Sequence, residues 1–392
     1  MIIFKIIMGL YIFIAGSYWL WQLVLMIRTI KSVGMLEKFT YDETDNWPKL
    51  SVVVPARNEA NSIEEAVKTR LTEGYPNQEI ILVDDRSTDQ TGAIIDRVAA
   101  SDKRVKAVHV KELPEGWIGK LYAMHMGVRE ATGDWFLFSD ADIHFKEGVL
   151  KKAVAYSEKR NLDHLGVIPE LWARNVFFDI LYCHFIKFMM LTARVWDIEN
   201  PNSTAALGVG AFNLVRRTAF AATKGFEWIK MDVADDLALG KMMKESGARA
   251  SLVNGCGLLG VYFYNSFGDM ARGTERAGFT TLGNFSLWPL MTVIGTMFLL
   301  EMFPFVMLRS GIPMLYIIGI IFWVIGFSVY TIGNIWTNRP LWTAFFWPVA
   351  ITVGLFFALR AGILGKIRGG IYWRGTFYST EVLKVGKRYS FY

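Results

Sequence analysis

Three pairs of carboxylates stand where apolar runs end or helices begin. In FLFSDADIHF (136–145), Asp140 and Asp142 flank the small Ala141 directly after an apolar stretch. EIILVDD (79–85) ends on Asp84 and Asp85, and DDLALGKMMKES opens on Asp235 and Asp236. Like charges this close repel, so folding alone gains nothing from them. Asp140 and Asp142 have the chemistry of a hard-cation site: Mg²⁺ takes one or two carboxylates and completes its shell with phosphate oxygens and water. The competing reading is a simple turn, which Asp also favours. A carboxylate at a strand tip, such as Asp84 or Asp85, can accept from a base N–H or a ribose hydroxyl, or can cap the next helix. Asp235 and Asp236 would be favoured at a helix N-terminus by the dipole, and either could take a proton from an attacking hydroxyl. PARNE (55–59) adds Arg57 and Glu59 at another apolar run's end.

The elements that must position these groups are legible. LSVVVPA (50–56) is a β-branched run ending at a proline and reads as a strand buried on both faces. Ile63, Val67 and Leu71 then recur at helical spacing up to Gly74. EIILVDD, VKAVHV (105–110) and WFLFSDAD (135–142) are further strands, with helical patterns between them in STDQTGAIIDRVAA and KLYAMHMGVREA. This alternation predicts a mostly parallel sheet with helices on both faces. Ligands of such sheets bind beyond the carboxyl ends of the strands, where the acidic pairs fall.

The chain's 392 residues are 53% hydrophobic, and the mean hydropathy of +0.28 is high for a soluble protein. The excess is concentrated. Residues 6–27, 277–300, 310–338 and 340–359 carry no charge, and each is long enough to cross a bilayer core of about 30 Å as a helix. The first lacks a small-residue cleavage site and reads as an uncleaved anchor; Arg28 and Lys31 after it favour a cytoplasmic start for the charged domain beyond. Part of the net charge of +6 is local: the last 28 residues hold six basic residues against Glu381, which suits anionic headgroups better than nucleic acid. Cys183 and Cys256 cannot form a disulfide framework, and no zinc-type spacing surrounds them. A P-loop motif is absent.

VVVPARNE, ILVDDRSTDQT, SDADI and DDLALG, in this order and spacing, resemble the family-2 glycosyltransferases. GWIGKLYAMHMGV (116–128) is similar to that family's Gly-Lys helix start, and GVGAFNLVRR (208–217) to its acceptor-side segment. The flanking apolar helices and YWRGTFY (372–378) resemble the membrane-bound branch that glycosylates lipids, such as hopanoid-associated and carotenoid glycosyltransferases. The resemblance implies a GT-A fold, an α/β Rossmann-like sheet, with flanking transmembrane helices. It implies an inverting transfer of a sugar from a nucleotide-diphospho sugar, a UDP-sugar first of all, to a lipid hydroxyl. Asp236 would be the general base. Asp140 and Asp142 would hold Mg²⁺ or Mn²⁺. Pro55, Arg57, Glu59, Asp84, Asp85 and Lys120 would line the donor site with Asp140, and Asp235, Arg272 and Arg276 would face the acceptor or diphosphate.

Two positions depart from the family pattern: Asp235 replaces a common Glu, and Arg86 a common Gly. The Arg-Trp signature of processive synthases is missing, which disfavours a polymerase. The expected organisation is an anchor (1–30), a catalytic domain (48–262), an amphipathic interfacial segment (263–284), a membrane region of two or three spans (285–362) and a basic cytoplasmic tail (363–392). Pro289, Pro304 and Glu301 mark 277–308 as interfacial or re-entrant. The expected location is the cell membrane, multi-pass, with the catalytic domain cytoplasmic. Two rival readings remain: a polyprenyl-phosphate sugar transferase, which needs the base less, and a membrane protein that binds nucleotide sugar without turnover.

Overall fold

A computed structural model describes residues 2–389. The chain forms two compact units, each assembled from separated stretches. A sheet unit comprises Val33–Trp172, Ala193–Phe263 and Gly370–Tyr392; a helical unit comprises Met1–Ser32, Ala173–Thr192 and Tyr264–Gly369.

In the sheet unit, strands β1 (Leu50–Ala56), β2 (Gln78–Asp85), β3 (Val105–Val110), β4 (Trp135–Phe138), β6 (His164–Ile168), β8 (Asn213–Arg216) and β9 (Ala250–Asn254) form one sheet in the order β3-β2-β1-β4-β8-β6-β9. Only β8 runs antiparallel to its neighbours, β4 and β6. Every residue of β1 and β2 is buried, as continuous apolar runs in a covered parallel sheet should be. The helix Gly119–Glu130 lies on β1 and β2. Glycine at 127 permits this, since a Cβ there would sit 2.4 Å from Val53 Cγ1. β5 (His144–Phe145), β10 (Leu259–Tyr262) and β7 (Glu170–Trp172) make a second sheet, and β11 (Gly370–Trp373) and β12 (Thr376–Ser379) a hairpin.

The chain order sets the site. It runs from β1 outward to β2 and β3, then returns to place β4 on the other side of β1. That reversal is the switch point where a crevice opens past the strand ends. The register pairs Ala56 with Asp84 and Val53 with Phe138, so Asp84, Asp85 and Asp140 emerge along one edge.

The helical unit holds three long apolar helices, Ile2–Ser32, Pro313–Trp336 and Trp347–Arg368, together with Val176–Thr192 and Leu287–Glu301. Large apolar side chains such as Phe13, Met314 and Ile367 are exposed on it, as a lipid-facing surface would require. Four helices among the described residues are long and apolar enough to cross a membrane. A fifth, broken pair, Phe267–Leu282 and Leu287–Glu301, bends by 101°.

These units differ from the expected boundaries in two places. VFFDILYCHFIKFMMLT (176–192) lies inside the stretch expected to be wholly catalytic, yet it packs as a helix of the other unit. Its Asp179, His184 and Lys187 disguise it in the sequence, and each has a partner inside its unit: Asp179 with Arg339, His184 with Tyr330, Lys187 with Glu301. The second difference is the tail. Residues 370–389, within the stretch expected as a basic cytoplasmic tail (363–392), fold as a hairpin and the helix Thr380–Gly386 and belong to the sheet unit.

Candidate active site

The crevice at the switch point is a pocket lined by Pro55, Lys120, Met124, Phe138, Ser139, Asp140, Gly210, Asn213, Asp235, Asp236 and Leu239. Lys120 organises its floor. The helix Gly119–Glu130 begins one residue before it, and its buried ammonium lies 2.8 Å from Asp140 Oδ1 and 2.7 Å from Asp235 Oδ2. Burial works against that charge, but Asp140 and Asp235 outweigh it and hold the lysine above its usual pKa. Asp235 and Asp236 line the pocket together, but Asp235 is a buried ion-pair partner of Lys120, whereas Asp236 is half-buried and not in that pair. Both start the helix Asp235–Glu245.

Asp140 is fixed by its surroundings. Its N–H donates to Gly210 O at 3.0 Å, and a Cβ on Gly210 would lie 2.9 Å from Asp140 Oδ2, so only glycine lets the segment approach. Arg70, fully buried, donates through Nη2 to Asp140 O at 2.5 Å and to Ser139 Oγ at 3.0 Å. Burial draws Arg70 down to about 10. In the sequence this arginine is inconspicuous, an ordinary helix residue in AVKTRLTEG.

Asp142 receives no ion pair among the described residues. Burial, then the negative charges of Asp140 and Glu59, push it up to about 7. Burial and the neighbouring acids outweigh the charge of Arg374, and a carboxylate so placed, with no ion pair among the described residues, fits a hard divalent metal. No group of three or more His, Cys, Asp or Glu able to hold a metal is found among the described residues. One or two protein carboxylates suit a cation that takes its other ligands from phosphate and water.

The second acidic pair divides its work. Asp84 Oδ1 accepts from Ser87 N–H at 3.1 Å and Oδ2 faces His109 Nδ1 at 3.3 Å, so it braces the following loop. Asp85, wholly buried, takes Arg86 Nε at 2.8 Å on Oδ1, while Oδ2 has no hydrogen-bond partner among the described residues and faces Gly119. Just before the helix Thr91–Ser101, Asp89 Oδ1 accepts from Thr91 N–H at 3.0 Å. Arg57 Nη1 lies 3.7 Å from Asp85 Oδ2, and Glu59 stands 4.0 Å from Arg374 of the hairpin. Arg272 and Arg276 lie on the helix Phe267–Ala277 of the helical unit, whereas the pocket is lined wholly by the sheet unit. Trp117 packs on Tyr122 and His125, and Cys183 and Cys256 are buried free thiols.

A sheet of this order with acidic residues at its switch point defines the GT-A class. A solved structure, the mannosyltransferase PcManGT from Pyrobaculum calidifontis in complex with GDP-Man and Mn²⁺, shares the fold: TM-score 0.54 at 16% identity, covering 91% of this chain and 98% of that one. Residues 51–221 match the model of glycosyl transferase family 2. An uncharacterized glycosyltransferase of Haemophilus influenzae is 32% identical over 160 residues, 40% of this chain and 45% of that protein. The 4,4'-diaponeurosporenoate glycosyltransferase of Staphylococcus haemolyticus is 22% identical over 237 residues, 60% of this chain and 62% of that protein. The chain thus spans less than two thirds of the length of these relatives.

Proposed function

We propose that this protein is an inverting, metal-dependent glycosyltransferase that moves a sugar from a nucleotide-diphospho sugar, a UDP-sugar in the first instance, to a hydroxyl of a membrane lipid of isoprenoid, carotenoid or glycerolipid type. The observation that carries this reading is the pocket at the switch point, where Asp140, Lys120, Asp235 and Asp236 meet beneath the strand ends. Asp236 takes the proton from the acceptor hydroxyl as its oxygen attacks the anomeric carbon. The bond to the diphosphate breaks on the opposite face, so configuration inverts and no protein nucleophile is needed. Lys120 keeps Asp140 and Asp235 in place and adds positive charge near the leaving group. Asp140 and Asp142 would hold Mg²⁺ or Mn²⁺, which when bound neutralises charge on the diphosphate. Asp85, beside Gly119, Arg57 and Arg86, is suited to the nucleoside.

The lipid acceptor is supported by the apolar helices and by the likeness to a carotenoid-type transferase. Membrane residence is supported by the same helices. The helix Val176–Thr192 leaves the sheet unit and returns to it. A full crossing would put one compact unit on both faces of the bilayer, so this helix lies along the interface or dips and returns. Between Phe263 and Gly370 lie the bent pair and two crossing helices, Pro313–Trp336 and Trp347–Arg368. The Gly370–Tyr392 stretch belongs to the sheet unit, so the crossings between these two points are even in number; the bent pair then enters and leaves on one face, and with Ile2–Ser32 the total is three.

The decisive experiment incubates purified protein and membrane lipid with labelled nucleotide sugars and identifies the product. A labelled lipid, formed with Mg²⁺ or Mn²⁺ and abolished by excess EDTA and by Asp142→Asn, is expected. Full turnover in EDTA would remove the metal from this reading, and no transfer from any donor would remove the reading itself.

A further inference from the structure

The hairpin β11–β12 closes with only two residues, Arg374 and Gly375, between Trp373 and Thr376. Both are left-handed, with φ of 47° and 80°, as a two-residue turn matching strand twist requires. Glycine and asparagine are the ordinary occupants of the first position; an arginine there is strained. Such a residue persists where its side chain has a task.

That side chain reaches the donor half of the crevice. Tyr378 on β12 seats the hairpin, its hydroxyl accepting from Gly119 N–H at 3.3 Å, at the start of the helix that carries Lys120. A Cβ on Gly375 would lie 3.4 Å from Arg57 Nη2, so the Arg57 guanidinium sits against the turn. Two guanidiniums are thereby placed between Asp85 on one side and Glu59 on the other. Neither is satisfied: Arg57 Nε and Nη1 and Arg374 Nη1 are buried without a hydrogen-bond acceptor among the described residues. The nearby acids do not supply one. Asp85 Oδ2 is 3.7 Å from Arg57 Nη1, and Glu59 Oε1 is 4.0 Å from Arg374, both beyond hydrogen-bond reach. Buried guanidinium N–H groups almost always find acceptors, and an oxyanion with several oxygens is the ligand that such forks fit best.

We propose that Arg374 and Arg57 form a two-arginine clamp on the diphosphate of the donor, Arg374 being supplied by the hairpin β11–β12. This rests on the nucleotide-sugar reading and deepens it: the leaving group would be held by protein cations from the tail as well as by a metal at Asp140 and Asp142. The competing role for Arg374 is structural, balancing Glu59.

Calorimetry on the full-length protein with UDP, GDP, UMP and GMP, in Mn²⁺, separates these. Asn tolerates the left-handed turn, so Arg374→Asn keeps the hairpin and removes the guanidinium. It should weaken diphosphate binding by about 10- to 100-fold, the loss of charged hydrogen bonds, and change monophosphate binding by less than about twofold. Arg374→Lys keeps the charge without the fork and should fall between. Equal diphosphate affinity in native protein and Arg374→Asn overturns the clamp, as does an equal loss for mono- and diphosphates, which would mark a structural role. If the native protein binds no nucleoside diphosphate, the nucleotide-sugar reading fails with it; if it binds and only the Arg374 variants are unaffected, the clamp alone fails.

Discussion

Each unit buries a lysine against carboxylate, and the two clusters are built to opposite rules. In the helical unit, Lys187 Nζ meets Glu301 Oε1 at 2.5 Å, and the same carboxylate takes hydroxyls from Tyr18 and, at 3.3 Å, from Tyr330. His184 faces the Tyr330 hydroxyl at 3.0 Å, and the ammonium lies over the Tyr330 ring. One cation meets one anion, and four helices contribute. In the sheet unit, one lysine serves two carboxylates, Asp142 and Asp236 stand beside them, and Arg57 Nε and Nη1 and Arg374 Nη1 have no acceptor among the described residues. A saturated neutral cluster ties helices together. A cluster with excess charge and unfilled donors is shaped for something that arrives from outside. The expectation of an interfacial stretch at 277–308 rests partly on the cost of Glu301 in lipid; Lys187, from the helix hidden in the sequence, is the partner that removes this cost.

The contrast can be broken at either end. Asp236→Asn should lower kcat by about 10²- to 10⁴-fold while leaving UDP affinity within about twofold, since the base acts on the acceptor. Loss of UDP binding in that variant would move Asp236 to the donor side. In the other cluster, Lys187→Met leaves Glu301 buried and uncompensated, and should cost about 3–5 kcal/mol of stability. Adding Glu301→Leu should restore most of the thermal midpoint in detergent. If the double variant is no better than the single, the pair is more than a tie.

A third acid sharpens the comparison, because the sheet unit also buries a carboxylate that has no task for a cation. Glu73 Oε1 accepts from Leu150 N–H at 2.5 Å, and burial pushes the group up to about 8. Its folded pKa lies above its unfolded one, so the folded state binds the extra proton between about pH 4.5 and 8. Stability therefore falls as pH rises through that window and levels off above it. Glu73→Gln should flatten this dependence in thermal melts from about pH 5 to 8.5; an unchanged slope would assign it to other groups. The mildest change is Val385→Cys, on an 80% exposed side chain of the tail, while Cys183 and Cys256 stay buried. A membrane-impermeant maleimide should label it only after the membrane is opened. Labelling in intact cells would place the tail, and with it the sheet unit, outside.

The sheet was legible because β1, β2 and β4 are continuous apolar runs whose ends carry acids, a pattern that water and packing alone do not produce. The order of those ends marked the crevice, and Asp140, Lys120, Asp235 and Asp236 do line one pocket. Three features were not legible. Val176–Thr192 hid behind Asp179, His184 and Lys187, whose partners are far away in sequence. Arg70 supports Asp140 from a helix where an arginine signals nothing by itself. Arg374 sits 289 positions after Asp85, in a tail whose basic charge suggested headgroups. The motif WRG carried a hint, since arginine before glycine in a two-residue turn is an unusual choice.

The sheet unit takes its final strands from the last stretch of the chain, after the last apolar helix. The pocket residues all come before this stretch, while Arg374 follows the helix Trp347–Arg368. On the proposed reading, the base and the metal carboxylates therefore come from one part of the sequence and half of the diphosphate clamp from another, with the apolar helices between them.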